Sequence, residues 1–305
     1  MAHPAGGWPV GPTRGGSMFA SADAVLRCCR LEILFPLGIA LALYATGWWR
    51  LRRRAPRRAR LCGLGYYLAG VGAVGVALLS PLDSLAERSF LVHMLQHLLL
   101  INVAAPALLR ANPLPTLLWG LPKTLRTRVG RLLAPGRWLR LVWRALTGMP
   151  AAGLTYALTL WLWHLPIAYD AALTNRLLHD LEHVAFLGAG ALFWWPLIRP
   201  APRFRAGAGP AVRVAYLVVT AFHQALLGLL VTLAPDVLYP SYALAARSDG
   251  LTALEDQAWA GILMWGAGGV IDMIATMAVL YQLLDHRDGG VGALSDAAPV
   301  SRPAE

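Results

Sequence analysis

Two histidine pairs in apolar segments are the residues of this sequence with the clearest potential for chemistry. His93 and His97 in HMLQH, and His179 and His183 in HDLEH, are each four positions apart. On a helix, residues four apart lie on one face with Cβ atoms about 5–6 Å apart, so two imidazoles can bind one ion. Helices with the HExxH motif hold zinc by the same spacing. The two pairs therefore predict one or two metal sites.

Four further side chains lie close to these pairs in the sequence or at the same predicted depth. His164 ends the apolar segment WLWH, and Met94 follows His93. Imidazole suits zinc, copper and iron, whereas a methionine thioether favours Cu(I). Met94 points about 100° away from His93 on a helix, so it is at best a secondary ligand. Asp180 and Glu182 flank the second pair and could orient its imidazoles, although acids are equally favourable at a solvated helix N-terminus.

The composition indicates an all-α protein that crosses a membrane several times. Of 305 residues, 57% are hydrophobic and 14% are charged, whereas soluble domains carry about 25% charged residues. Repeated apolar runs of about 18 residues or more predict a polytopic helical bundle with about seven transmembrane helices. The net charge of +11 is also compatible with a nucleic-acid binder. The basic residues cluster in alternate loops, however, which is a topology signal, so we expect no nucleic-acid partner.

The distribution of basic residues predicts the orientation of the bundle. The predicted spans are roughly 31–49, 62–82, 89–109, 151–168, 179–198, 212–234 and 258–284. Loops after the first, third and fifth spans hold 19 Lys and Arg, against 3 after the second, fourth and sixth. The positive-inside rule then places the N-terminus outside and the C-terminus inside. At 1.5 Å per residue, all five histidines lie within about 12 Å of the outer surface.

The regions around the spans divide the chain into three parts. Residues 1–30, rich in Gly, Pro, Ala and Ser, are predicted to be a disordered extracytoplasmic segment without a cleavable signal, and Met18 is a second candidate start. Residues 31–284 form the predicted seven-helix transmembrane domain, and 285–305 a disordered cytoplasmic tail. The connector 110–146 is basic and contains no acid. From Gly130 to Val142, Leu, Trp and Val alternate with basic residues, and we expect this part to form an amphipathic helix on anionic lipid at the cytoplasmic face.

Two ionisable residues are predicted near the middle of the membrane. An unpaired carboxylate at Asp272 would be costly there, and His223 is its expected partner by depth. The pair would fit a proton path, a cation in transit or a buried structural contact. A single histidine in a membrane helix can also simply hydrogen-bond to another helix, and that alternative stays open for His223.

Several stretches together resemble the polytopic CtaG family of cytochrome c oxidase assembly factors, which is associated with caa-type oxidases. The stretches are HMLQHLLL in the third span, WLWHLPIAYDAAL in the fourth, HDLEHVAFLGAGALFWWPL in the fifth and an HQ in the sixth. The resemblance runs from the second span through the seventh. It implies a multi-pass protein of a bacterial plasma membrane that helps to mature an oxidase at a copper centre, with haem–copper oxidase subunits as partners. The functional positions that it implies are His93, His97, His164, His179 and His183.

Three functions remain open from the sequence. The leading hypothesis is an assembly factor, not an enzyme, that holds or relays copper on the outer face. The second is a haem-b electron carrier or quinone-linked oxidoreductase, because histidines at matched depth can ligate haem; copper ranks above haem as the expected cofactor. The third is a proton-coupled transporter or a metal-free scaffold, suggested by Asp272 and His223. The loop 235–257, which has four acids, is a candidate partner surface.

Overall fold

A computed structural model of the chain describes residues 30–53, 56–244 and 250–295. Every regular element in these residues is a helix, which confirms the predicted all-α class. The helices are α1 (Leu31–Leu51), α2 (Arg57–Leu79), α3 (Pro81–Ala86), α4 (Phe90–Arg110), α5 (Pro113–Gly120), α6 (Lys123–Leu132), α7 (Trp138–Leu146), α8 (Met149–Trp163), α9 (Pro166–Thr174), α10 (Arg176–Ile198), α11 (Pro210–Leu233), α12 (Pro240–Ala243) and α13 (Ala253–Ser295). Within the described ranges, six helices are long and apolar enough to cross a membrane: α1, α2, α4, α10, α11 and α13.

The fourth predicted span is present as two helices with a break between them. Helix α8 has 15 residues and is about 22 Å long at 1.5 Å per residue, so it is shorter than most membrane helices. It packs against α10 and α11 as the seventh long helix of the bundle. The chain then breaks at His164 and Leu165, and α9 begins at Pro166. Proline at the first helical position lacks an N–H and keeps the preceding residue extended, which explains the break.

Helix α4 contains a wider, π-helical segment at Leu99–Ala104. Pro106 follows it closely and has no N–H to donate one turn back, so the regular hydrogen-bond pattern is interrupted here. The Trp194 indole of α10 donates to the Ile101 carbonyl at 3.0 Å, which satisfies an acceptor of this segment. A Cβ added at Gly190 of α10 would lie 3.0 Å from Ile101 Cα. The absent side chain therefore lets α10 approach α4 closely, and this contact sets the distance between their histidines.

The two helices that carry the histidine pairs lie inside the bundle. Helices α4 and α10 bury more of their length than the other crossing helices, and α1 buries the least. Both α4 and α10 begin at the same end of the bundle, which we call the histidine end. Helices α11 and α13 pack along one another at small residues, and a side chain at Gly268 would overlap Gln224. The orientation of the histidine end in the membrane stays a prediction.

The basic connector 110–146 contains three helices, α5 to α7, and the part from Gly130 to Val142 spans the end of α6 and the start of α7. Helix α5 packs against α1, and Gly47 and Gly120 leave room for the two backbones to approach. Helix α7 leaves an apolar face exposed, formed by Trp138, Leu141 and Val142. This face fits the predicted contact with lipid, which stays a prediction.

The ends of the chain are only partly covered. The predicted N-terminal segment lies outside the described residues except for Arg30. The predicted tail from Asp285 begins as a continuation of α13, which ends at Ser295. No proline lies between the start of α13 at Ala253 and Pro299, so none interrupts this helix. Residues 296–305 of that tail lie outside the described residues.

Candidate metal centre

The two histidine pairs meet at the histidine end. Ser89 accepts from the backbone N–H of Val92 and so caps the start of α4, while Asn175 caps the start of α10. The shortest separations of ring centroids are 4.5 Å for His93–His97, 4.4 Å for His179–His183, 5.1 Å for His93–His179 and 5.4 Å for His97–His183. Four imidazoles therefore surround one point between α4 and α10.

Helix-to-helix spacing explains why the pair on α10 faces α4. His183 precedes Gly190 by seven positions, which is about two helical turns, so both lie on the same face of α10. Gly190 is the contact with the π-helical segment of α4. His97 lies just before that segment on α4. The close approach of the two backbones below the cluster therefore brings His97 and His183 together above it.

Tyr242 fixes the orientation of the His93 ring. Its hydroxyl donates to the Ala86 carbonyl at 2.9 Å, and the same oxygen lies 2.9 Å from His93 Nδ1. Since the single hydroxyl hydrogen is already used, His93 Nδ1–H is the donor in the second bond. Burial raises the pKa of Tyr242 well above its usual value, so the phenol keeps its hydrogen. His93 Nε2 is then the unprotonated nitrogen and carries a lone pair for a metal.

Glu182 lies within the cluster and not behind it. Its side chain is 0% exposed, and its carboxylate oxygens lie 3.6 Å from His93 Nε2 and 3.8 Å from His97 Nε2. These distances are too long for hydrogen bonds. Two ligands at about 2.1 Å from a tetrahedral ion would be about 3.4 Å apart, so the spacing suits two ligands of one cation. The sequence left open whether Glu182 orients an imidazole or is a solvated acid at the start of a helix; the side chain is buried and faces the ring nitrogens directly.

Seven buried polar atoms in this cluster have no hydrogen-bond partner among the described residues. They are Nε2 of His93, both ring nitrogens of His97, both ring nitrogens of His183 and both carboxylate oxygens of Glu182. An unsatisfied buried polar atom costs about 1–3 kcal/mol, and a buried carboxylate needs a cation. Two overlapping groups, His93–His97–His183 and His93–His179–Glu182, each have ligand atoms within 4.8 Å of one another. The residue types and spacing fit one or two transition-metal ions.

A cavity of about 280 Å³ reaches His179 from the surface at the histidine end. Arg30, Asp83 and Arg176 line it together with His179. Arg30 forms ion pairs with both Asp83 and Asp180. Asp180 therefore faces Arg30, whereas the sequence left open whether it orients an imidazole or is a solvated acid at the start of a helix. His179 lines this cavity and contacts the His93 and His183 rings, so it is the histidine of the cluster closest to the surface.

The fifth predicted histidine lies beside the cluster and contacts Met94. His164 Nδ1 is 2.7 Å from the Leu160 carbonyl, and His164 Nε2 is 3.4 Å from Met94 Sδ. The ring centroid of His164 is 6.5 Å from that of His97. The Tyr239 hydroxyl donates to the His164 carbonyl at 3.0 Å and holds the break after α8 in place. His97 thus lies between His164 and the other imidazoles of the cluster.

The expected pair of His223 and Asp272 is not formed. No ion pair within 4.0 Å joins the two side chains in the described residues, although Asp272 is buried. His223 packs its ring against Tyr156 at 5.7 Å instead, and its nitrogens have no hydrogen-bond partner there. Gln224 of α11 faces α13, because it donates to the Met264 carbonyl at 3.3 Å. Neighbouring residues on a helix point about 100° apart, so His223 faces elsewhere.

Two residues that position the histidine cluster were not predicted from the sequence. Tyr242 comes from the loop before α13, and no spacing links it to the HMLQH segment. Asp256, which the sequence placed in a candidate partner surface, is 0% exposed. Its carboxylate accepts from Ser89 Oγ at 2.7 Å and from the Phe90 N–H at 2.7 Å, so it joins the start of α13 to the start of α4.

Comparison with known proteins gives a family match that covers the histidine cluster. The sequence model of the family described as cytochrome c oxidase caa3 assembly factor (Caa3_CtaG) matches residues 42–286, which include all five histidines of the histidine end. No curated protein and no solved structure matches the chain. Since the family match covers most of the sequence, the chain belongs to the cytochrome c oxidase caa3 assembly factors, which are multi-pass proteins of the bacterial plasma membrane.

Proposed function

We propose that this assembly factor holds copper between α4 and α10 and delivers it to a haem–copper oxidase during maturation. The observation that carries the proposal is the set of seven buried nitrogen and oxygen atoms without hydrogen-bond partners around one point. A folded protein rarely leaves so many polar groups unsatisfied in one place unless a ligand completes them. With the orientation predicted from the basic loops, this point lies near the outer face.

The ligand types favour a late first-row transition metal. Neutral imidazoles with one carboxylate suit zinc and copper, whereas calcium and magnesium prefer sites made only of oxygen atoms. Glu182 supplies one negative charge, which offsets part of the charge of a bound cation. The family's role in assembling cytochrome c oxidase supports copper over zinc as the cargo.

The packing around the histidines favours a single ion over haem. The imidazole rings of α4 already lie 5.1–5.6 Å from those of α10 by ring centroids, so a macrocycle would have to separate the two helices. The cavity beside Met94, His97 and His164 has a volume of about 20 Å³, whereas small-molecule sites measure about 300–1,000 Å³. The transporter alternative gains no support from a contact between His223 and Asp272, because the ring nitrogens of His223 have no hydrogen-bond partner in the described residues.

The cavity at the histidine end supplies a route for the ion. His179 is reached from this cavity and lies 5.1 Å by ring centroids from His93. Copper would leave the inner nitrogens by exchange onto His179 and then onto ligands of the acceptor protein. The step exchanges one ligand for another at a time and needs no change of oxidation state.

The proposal is tested by metal binding to the purified protein and by oxidase maturation in cells. We expect the double variant His93→Ala/His97→Ala to lose copper binding, measured by competition with a Cu(I) chelator. The matched control is His223→Ala, which removes a histidine of the same bundle that lies outside the cluster. In cells, the double variant should insert normally but leave the oxidase short of copper. Copper binding and oxidase metallation equal to those of the unchanged protein would overturn the proposal.

A further inference from the structure

We propose that Met94, His164 and His97 form a second copper site that is selective for Cu(I) and adjoins the first. This inference rests on the proposed function, because it assigns a second position to the same cargo. It begins from the contact between Met94 Sδ and His164 Nε2 at 3.4 Å. Both side chains are buried, with 1% and 7% of their residues' surface exposed.

The protonation of His164 makes this contact unusual. Its Nδ1 is 2.7 Å from the Leu160 carbonyl, which can only accept a hydrogen bond, so the hydrogen is on Nδ1. The neutral ring therefore directs a lone pair from Nε2 towards Met94. A thioether sulfur also has only lone pairs to offer. Two electron-pair donors thus face each other without a hydrogen between them, and a cation would turn the contact into two coordinate bonds.

The distance between the two atoms suits coordination to one ion. With bonds of about 2.0 Å to nitrogen and about 2.3 Å to sulfur, a separation of 3.4 Å corresponds to an angle of about 104° at the metal. This angle is close to the tetrahedral value and far from linear. A third or fourth ligand is therefore needed to complete the coordination.

His97 is placed to supply the third ligand. It lines the same small cavity as Met94 and His164, and both of its ring nitrogens lack hydrogen-bond partners. The cavity of about 20 Å³ has room for one ion or one water molecule and no more. Met264 lines it from α13 and is a candidate fourth ligand.

The two sites would differ in the metals that they accept. The first contains imidazoles and the Glu182 carboxylate, which suit both zinc and copper. The second replaces the carboxylate with a thioether sulfur, a soft ligand that favours Cu(I) over zinc and Cu(II). His97 belongs to both sites and lies 4.5 Å from His93 by ring centroids. An ion could pass between them while it stays bound to His97, so the thioether site would retain Cu(I) and reject zinc.

The test changes the Met94 sulfur without changing any ligand of the first site. Met94→Leu conserves the volume of the side chain and removes the sulfur, while it leaves every ligand of the first site in place. We expect the unchanged protein to bind two Cu(I) ions and to show sulfur in the copper X-ray absorption spectrum. Met94→Leu should lose the sulfur signal and one Cu(I), or weaken its binding by at least about tenfold, with zinc binding unchanged. His164→Ala should show the same loss.

A second methionine supplies the control. Met273→Leu changes an exposed methionine of α13 outside the cavity and should bind both ions normally. The absence of sulfur around copper in the unchanged protein, or equal Cu(I) stoichiometry and affinity in Met94→Leu, would overturn this inference. If zinc and copper also failed to bind when all histidines are intact, the proposed function itself would be wrong. The two failures are therefore distinguishable in one series of measurements.

Discussion

Tyr242 accepts a hydrogen bond from His93 Nδ1 at 2.9 Å and donates its own hydrogen to the Ala86 carbonyl. One phenol thereby sets both the angle of the His93 ring and the position of its hydrogen. The free Nε2 is directed at the cluster as a result. Partners of this kind orient metal ligands in many proteins, and their loss typically weakens metal binding by about 10–100-fold.

Tyr242→Phe is expected to weaken copper binding by about 10–100-fold without abolishing it, because His93 keeps its place but loses the partner that fixes the position of its ring hydrogen. The measurement is a chelator competition on the purified protein. Tyr216→Phe is the control, since Tyr216 donates to the Phe193 carbonyl at 3.0 Å away from the histidines. Equal affinity in the two variants would show that Tyr242 does not act on the metal site.

Glu182→Gln is expected to have opposite effects on the metal-free and metal-loaded protein. Without metal, the buried carboxylate lacks a cation, so its replacement by a neutral amide should raise the Tm. With copper present, the lost charge should reduce the increase in Tm that the metal produces. Thermal unfolding in detergent, with and without copper, measures both effects. Glu87→Gln at the cavity mouth is the control, and an undiminished copper-induced shift in Glu182→Gln would contradict the assignment.

Gly190→Ala is expected to lower both stability and copper affinity. The added Cβ would lie 3.0 Å from Ile101 Cα, which is backbone and cannot move aside cheaply, so α10 would shift away from α4. His183 would then move away from His97. Gly188→Ala is a closely matched control, because no atom lies within 4 Å of a Cβ at that position. Helix propensity should make Gly188→Ala neutral or slightly stabilising, by up to about 1 kcal/mol. Normal copper binding in Gly190→Ala would show that this contact does not set the site.

Asp256→Ala is expected to destabilise the protein by about 2 kcal/mol, at the upper end of the range for a helix cap. The carboxylate is buried and accepts from Ser89 Oγ and from the N–H groups of Phe90 and Leu91, so its removal takes the acceptor from three donors. The Tm in detergent measures the change. Glu255→Gln, at the neighbouring exposed acid, should have a smaller effect. A Tm equal to that of the unchanged protein would rule out the proposed link between α13 and α4.

The sequence by itself determined the helices and the faces of the histidine pairs. Apolar runs long enough to cross a membrane predicted six of the crossing helices, and the four-residue spacing placed His93 with His97 and His179 with His183. These features depend on hydrogen bonds between residues one turn apart, so a short stretch of sequence contains the information. The break after α8 could also have been read from Pro166, since proline acts on its immediate neighbours. The prediction that the five histidines lie at similar depth in the membrane followed from counting residues along each helix.

Only the tertiary structure decided which of these groups touch. Glu182 faces the ring nitrogens while Asp180 faces Arg30, although the two acids are two residues apart. Met94 meets His164, and His223 does not meet Asp272 although their depths match. These outcomes depend on the rotation of each helix about its axis, and packing contacts between residues distant in the sequence, such as Gly190 with Ile101, set that rotation. The depth of a residue along its helix follows from local sequence, but the direction in which its side chain points within the bundle does not. The sequence therefore predicted the depth of the site, and only the structure determined which residues form it.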